Sequence, residues 1–259
     1  MFVDNKIIFA EKNILKSDTL QVLESYPREL INLMYSDFSD GIICGARVTS
    51  AENYKLIVSP GIIKYKGIIY HMNEKAVIPY RNDKNLQFLR IRFLDEEETA
   101  EGIKRGTEFV ISTDTREFPY ELEIARFISE RGANMIIEGS SMEELALNRN
   151  HIDVKFAKYS TNCGDTISPY ILKVFVEEYL KKMMPSEGDM AFCLQVLNGK
   201  NISRDAICAY ISYKTKSRKY NLNNEEIYLE LLNILRTSSD GGNVYNKVNR
   251  NERRNIIVD

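Results

Sequence analysis

Apolar positions along this chain change their spacing twice, and each change predicts a change of structure. Over the first 36 residues the pattern is short and mixed. Lys6-Ile7-Ile8-Phe9 reads as a strand. Ser17 is placed to cap a short helix over 18–25, with Asp18 in its first turn. Pro27 suits the first turn of a second helix over 28–35, which gathers Leu30, Leu33 and Met34 on one face. From Asp40 the period falls towards two. Short apolar, β-branched and aromatic runs over 41–45, 47–49, 54–58, 61–65, 68–70, 76–78, 86–93, 109–111 and 121–127 read as strands. Pro60-Gly61 and Lys66-Gly67 are turn signals between them. In 86–93, Phe88, Arg90 and Arg92 alternate with Leu89, Ile91 and Phe93, the pattern of a half-buried strand.

After Gly139 the spacing becomes helical. A short helix is expected over 141–148, with Glu143 and Glu144 in its first turn. Residues 150–164 look irregular, with one short extended piece. Ser168-Pro169 opens a helix to about Met183, a second covers 189–197, and Ser203 caps a third to about Tyr213. Asn223 with Glu226 makes a capping-box start for a fourth helix over 225–235, whose buried face is Ile227, Leu231, Ile234 and Leu235. Asp240-Gly241-Gly242 is expected to break the chain. The fold class is therefore α+β. A strand and helix segment (1–36) leads into a β-rich domain of short antiparallel strands and hairpins (37–139). A linker with a short helix (140–166), a helical domain (167–237) and an extended C-terminal arm (238–259) follow.

Composition narrows the function by subtraction. Of 259 residues, 44% are hydrophobic and 28% charged, so a core can form. The formal net charge of -2 supplies no basic field for nucleic acid. No apolar run is long enough to span a membrane, and no secretory leader is visible at the start. The four cysteines, Cys44, Cys163, Cys193 and Cys208, form no CxxC pair and read as reduced structural thiols. The two histidines, His71 and His151, are isolated from each other, so no metal site is expected. A phosphate-cradling loop fails at its first glycine, where Leu194 stands six residues before Lys200. GxGxxG, HExxH, SxxK and GxSxG are absent, and no cofactor is indicated.

Two chemistries stay open on residue type. Glu96, Glu97, Glu98, Asp114, Glu117, Glu121 and Glu123 could supply a carboxylate pair for cleaving a glycan or cell wall, but their abundance selects no pair. Lys214, Lys216, Arg218 and Lys219, interleaved with Tyr210, Tyr213 and Tyr220, have the composition of a single-strand nucleic-acid surface. A solvated loop between helices explains the same run, and the whole-chain charge favours that explanation.

A resemblance enters in the β-rich stretch. Phe38-Ser39-Asp40-Gly41-Ile42-Ile43-Cys44-Gly45 runs into Leu56-Ile57-Val58-Ser59-Pro60-Gly61-Ile62-Ile63 and then Lys66-Gly67-Ile68-Ile69-Tyr70. The loose pattern DGIxxG, LxVxPG, GxxY resembles a module of phage tail-fibre and baseplate proteins and of phage-tail-like bacteriocins. Tyr120-Glu121-Leu122-Glu123-Ile124-Ala125-Arg126-Phe127, followed by Arg131-Gly132-Ala133, is similar to a second segment of the same group. Together these cover about 17–137. The resemblance implies a non-enzymatic baseplate subunit of a contractile particle that helps hold receptor-binding fibres. It implies synthesis in a bacterial cytoplasm and assembly, in several copies, with other baseplate or tail-fibre subunits into a virion or released particle. It carries over no catalytic residue.

The arm suggests where such a partner would bind. Arg250, Arg253 and Arg254 supply charge, and Ile256, Ile257 and Val258 an apolar anchor able to add a strand to a sheet edge. The expectation is that a neighbouring subunit holds this arm, because its ordering entropy cannot be repaid alone, with folding back onto its own chain as the alternative.

Overall fold

Two apolar cores organise the chain, one between the sheets and one among the helices, and Val154 packs against both. The computed structural model describes residues 16–100, 102–130, 141–146 and 150–251. The α+β class holds: small, mostly antiparallel sheets come first and helices follow.

The first helix, α1 (Ser17–Met34), is one helix rather than the two expected, and Pro27 lies inside it. Proline there removes one N–H from the ladder but leaves the bonds on either side, so the helix continues. Its end is held by Lys64. That ammonium is buried and donates to the carbonyls of Tyr35, Ser36 and Phe38 at 2.7, 2.8 and 2.7 Å. A cation on the carbonyls that follow a helix satisfies orphan acceptors and complements the helix dipole.

The β half contains β1 (Gly41–Gly45), β2 (Val48–Ala51), β3 (Lys55–Val58), β4 (Gly61–Tyr65), β5 (Ile68–Met72) and β6 (Ala76–Pro79). It continues with β7 (Leu86–Phe93), the ribbon β8 (Glu97–Thr99) and β9 (Gly102–Lys104), then β10 (Thr107–Ser112) and β11 (Glu121–Ile128). Residues 150–164, expected to be irregular apart from one short extended piece, together with the two residues that follow supply three strands, β12 (Ile152–Asp153), β13 (Tyr159–Thr161) and β14 (Gly164–Thr166). The sheets run β14-β13-β1-β4-β5, β10-β7-β11-β12 and β2-β3-β6. Strands of two or three residues leave no period to read, and β13 has a distant partner, pairing in parallel with β1 at Ile42–Tyr159. Leu56, Val58, Leu89, Ile124, Ala125 and Phe127 lie at the centre of this core.

The turn signals do what their chemistry asks. Lys66 and Gly67 both have positive φ, 49° and 77°, and close the β4–β5 hairpin with the twist that a two-residue loop needs. Gly45 and Gly61 face each other across β1 and β4, and a Cβ on Gly45 would sit 2.0 Å from the Pro60 carbonyl oxygen.

In place of the expected helix over 141–148 there is a 3-10 turn, Glu144–Ala146. Its neighbour Met142 is fully buried, with its N–H on the Glu178 carboxylate and its carbonyl on the Tyr228 hydroxyl. The bundle is α2 (Pro169–Lys182), α3 (Glu187–Leu197), α4 (Arg204–Thr215) and α5 (Asn224–Asn251). α5 runs through Asp240-Gly241-Gly242, where the sequence predicts a break. Each glycine costs about 1 kcal/mol relative to alanine in a helix, but propagation adds a bond per residue, and no proline follows Pro185.

Asp189 ties the bundle together. It is the third residue of α3, 1% exposed, and closes a capping box with Ser186. Its carboxylate also accepts from the hydroxyls of Tyr179 on α2 and Tyr210 on α4, at 2.9 and 3.2 Å, and from the Lys214 ammonium at 3.0 Å. Burial raises its pKa, but hydrogen bonds from Ser186, Lys214 and Tyr179 outweigh burial and hold it at about 2. Burial likewise opposes the Lys214 charge, yet Tyr179 and Asp189 raise its pKa above the ordinary lysine value.

Glycine substitutions should separate backbone strain from steric approach. Gly67→Ala should cost about 1 kcal/mol in urea unfolding, from backbone strain alone, because nothing lies within 4 Å of the added carbon. Gly45→Ala should cost clearly more, since strand backbones must separate. In the bundle, Asp189 is depressed from 3.8 to about 2, so its contribution is complete above about pH 4 and is lost as pH falls through 2. Asp189→Asn should therefore lower stability at pH 7 by about 2 kcal/mol and flatten the acid limb of the stability profile.

Candidate functional site

β7 is the centre of the second sheet and is covered on both faces rather than one. Leu89, Ile91 and Phe93 enter the core. The opposite face carries Phe88, Arg90 and Arg92, flanked in register by β10 and β11. Arg92 sits between Glu108 and Glu121 and binds both, at 3.0 and 2.8 Å. Arg90 reaches Glu121 at 3.4 Å, the Asp114 carbonyl at 2.8 Å and the Ser112 hydroxyl at 3.4 Å. The side chains of Arg90 and Glu121 are each 3% exposed.

A β-bulge completes this charged face. The β7–β11 register shifts between Glu123 and Ala125, so Ile124 is the additional residue, and Ile124 and Ala125 are both buried. Arg126 thereby returns to the face of Glu123 and pairs with it at 2.6 Å. Its guanidinium lies 3.3 Å from the ring centroid of Phe156 and 5.1 Å from that of Phe88.

This face floors a cleft of about 700 Å³ between the sheet and the helices. Phe118, Pro119 and Tyr65 form one side, and Lys158 and Phe156 come from the segment after β12. The helical wall is organised by Arg204, the first residue of α4. It binds Asp165 at 3.0 Å, the Asn224 side chain at 2.8 Å and the Leu222 carbonyl. One guanidinium thus fastens the N-termini of two helices to β14. Asn201 adds a second fastening, donating to the carbonyls of Ile43 and Ser160.

A glycan-cleaving acid needs a carboxyl held protonated near a second carboxylate. Glu121 and Glu123 are instead bound to guanidinium groups. Asp153, whose carboxyl burial pushes above the usual range, faces Lys155 at 3.3 Å. Aromatic rings beside fixed charges of both signs give shape and register to a bound chain.

Comparison with known proteins adds little to this geometry. No family model matches the chain, and no curated protein matches it. Two solved structures align along 91% of it. One is a crystal structure of TssK, with a TM-score of 0.39, 10% identity and 72% of that chain covered. The other is the type VI secretion system TssK-TssF-TssG baseplate subcomplex seen by cryo-electron microscopy, with a TM-score of 0.42, 8% identity and 99% of that chain covered.

The residues singled out from the sequence fall in three places. Arg250 lies in the last turn of α5, on a helix rather than in an extended arm. Arg253, Arg254, Ile256, Ile257 and Val258 lie outside the described residues. The basic run is largely used internally: Lys214 binds Asp189, Lys219 binds Glu230 at 2.7 Å, and Lys216 lies over the Tyr213 ring. Sequence reasoning missed Arg90 and Arg126 as cleft residues. The available signal was the alternation of Arg90 and Arg92 with apolar residues, mirrored by Glu121 and Glu123 in a later strand.

Glu121→Leu should leave the Arg90 guanidinium buried without its anion and cost about 3 kcal/mol in urea unfolding. The double variant Arg90→Met with Glu121→Leu should recover much of that loss. Glu177→Gln, which removes the exposed Lys173–Glu177 pair, should leave stability unchanged.

Proposed function

We propose that this chain is a non-enzymatic structural subunit of the baseplate of a phage tail or tail-like contractile particle, linking the baseplate to receptor-binding fibres. The observation that carries this reading is what the resembling segments do. Asp40 accepts the Lys66 N–H at 2.8 Å and pins the β4–β5 hairpin. Leu56 and Val58 fill the core, and Gly61 lets β4 approach β1. Glu121, Glu123 and Arg126 build the floor of the cleft. Each residue in the pattern sets geometry, which is the work of a scaffold subunit.

The cleft between sheet and helices is the surface that suits an extended segment of another baseplate or fibre subunit. In this reading the protein is made in a bacterial cytoplasm and ends in the virion or released particle. No helix among the described residues is long and apolar enough to cross a membrane.

The test is assembly. A tagged copy should co-sediment with tail particles in fixed ratio to the other tail subunits. Deleting the gene should yield particles lacking baseplate or fibres. The combined variant Lys158→Glu and Phe156→Ala, on the cleft, should fold yet incorporate poorly. Particles that form and kill normally without the protein would sink the proposal, as would release of sugar from cell-wall fragments by the purified chain.

A further inference from the structure

α1 is eighteen residues long and none of them is buried. Such a helix is marginal in water, and Pro27 inside it costs about 3 kcal/mol more. Something has to cover it. Its apolar residues are ordered in a specific way. Leu20, Leu23, Pro27, Leu30 and Met34 follow one another at intervals of three, four, three and four, the spacing of a coiled-coil seam. Tyr26, Ile31 and Leu33 flank the seam and widen it. Asp18, Gln21, Glu24, Arg28, Glu29 and Asn32 lie off it, and Glu24 pairs with Arg28 along the helix itself.

We propose that α1 is a self-association helix, and that its seam is covered by the α1 helices of further copies of this chain, packed parallel and in register. Two quantities on the molecule favour this occupant. The six aliphatic residues Leu20, Leu23, Leu30, Ile31, Leu33 and Met34, together with Tyr26, are 40–73% exposed. At about 200 Å² for each residue they offer about 700 Å² per copy, close to the ~800 Å² per partner of a stable complex. Charge is also compatible. In a parallel pair the flanking positions meet as Thr19 with Glu24 and Tyr26 with Ile31, so no like charges face each other. The Lys64 clamp fixes the same end of every α1 to its own sheet, which suits copies arranged around a common axis. This inference does not depend on the baseplate reading.

The experiment measures the mass of the full-length protein by light scattering across a micromolar concentration series. The wild type should be oligomeric. Leu23→Asp with Leu30→Asp should run at monomer mass, with thermal unfolding of the two cores unchanged because neither is touched. A second arm guards against a variant that fails to fold. Leu30→Cys, in a Cys44→Ser and Cys163→Ser background that removes the exposed thiols, should form a disulfide between copies on mild diamide oxidation. In-register parallel helices bring the two introduced sulfurs together. A monomeric wild type, as when a different protein or another segment of the chain covers the seam, overturns the proposal. So does an aspartate variant of unchanged mass, or a folded cysteine variant that does not cross-link.

Discussion

A guanidinium buried on the middle strand of a sheet constrains everything placed around it. Arg90 is as inaccessible as Ile91 and Phe93 of the opposite face, so its charge must be met within the protein. Glu121 meets it directly, and the Asp114 carbonyl completes the coordination. That fixes β11 beside β7 in one register, since a slip by one residue would exchange its acidic and apolar faces. The bulge at Ile124 is then what allows a further ion pair, Arg126 with Glu123, to join the same face. Removing one partner from such a group is costly because it leaves an uncompensated buried charge.

The helical half solves the same problem with an anion. Asp189 gathers donors from α2, α3 and α4, and stacking of Phe192 on Tyr210 at 4.0 Å fills the space beside it. Polar fastenings join the two halves. Arg204 and Asn201 reach from the helical half to β1, β13 and β14, and among the described residues Val154 packs against both cores. The cleft lies beside the Arg204 fastening.

Much of this was legible in the sequence because local chemistry and tertiary structure agree. Ser203 and Asn223 cap helices where caps are expected, Ser186 caps one a few residues before its expected start, and Lys66-Gly67 turns where its backbone permits. Misreadings arise where a tertiary partner overrides a local signal. Pro27 reads as a helix start and lies within a helix. The Arg90 face reads as solvent-facing because nothing local shows that Glu121 will cover it. Residues 150–166 carry too few apolar positions for a strand signal, and only the open edges of β1 and β11 draw them into sheets. The continuation of α5 past Gly241-Gly242 reflects the weakness of glycine as a helix stop when nothing competes for the backbone.

The parallel pairing of β1 with β13 has a consequence for how the chain is made. Ile42 leaves the ribosome long before Tyr159, and translation at about 5–20 residues per second separates them by on the order of 10 s. Throughout that interval one edge of the first sheet is open, with Gly41 to Gly45 able to accept a strand from any nascent neighbour. The rest of the β half can form its hairpins early, since β4–β5 and β2–β3 are local. Sheet closure waits for a segment that follows the whole of the second sheet's long strands in sequence. A nascent β1 edge is therefore open to pairing for longer when translation slows between residues 42 and 159 than when it slows after residue 166.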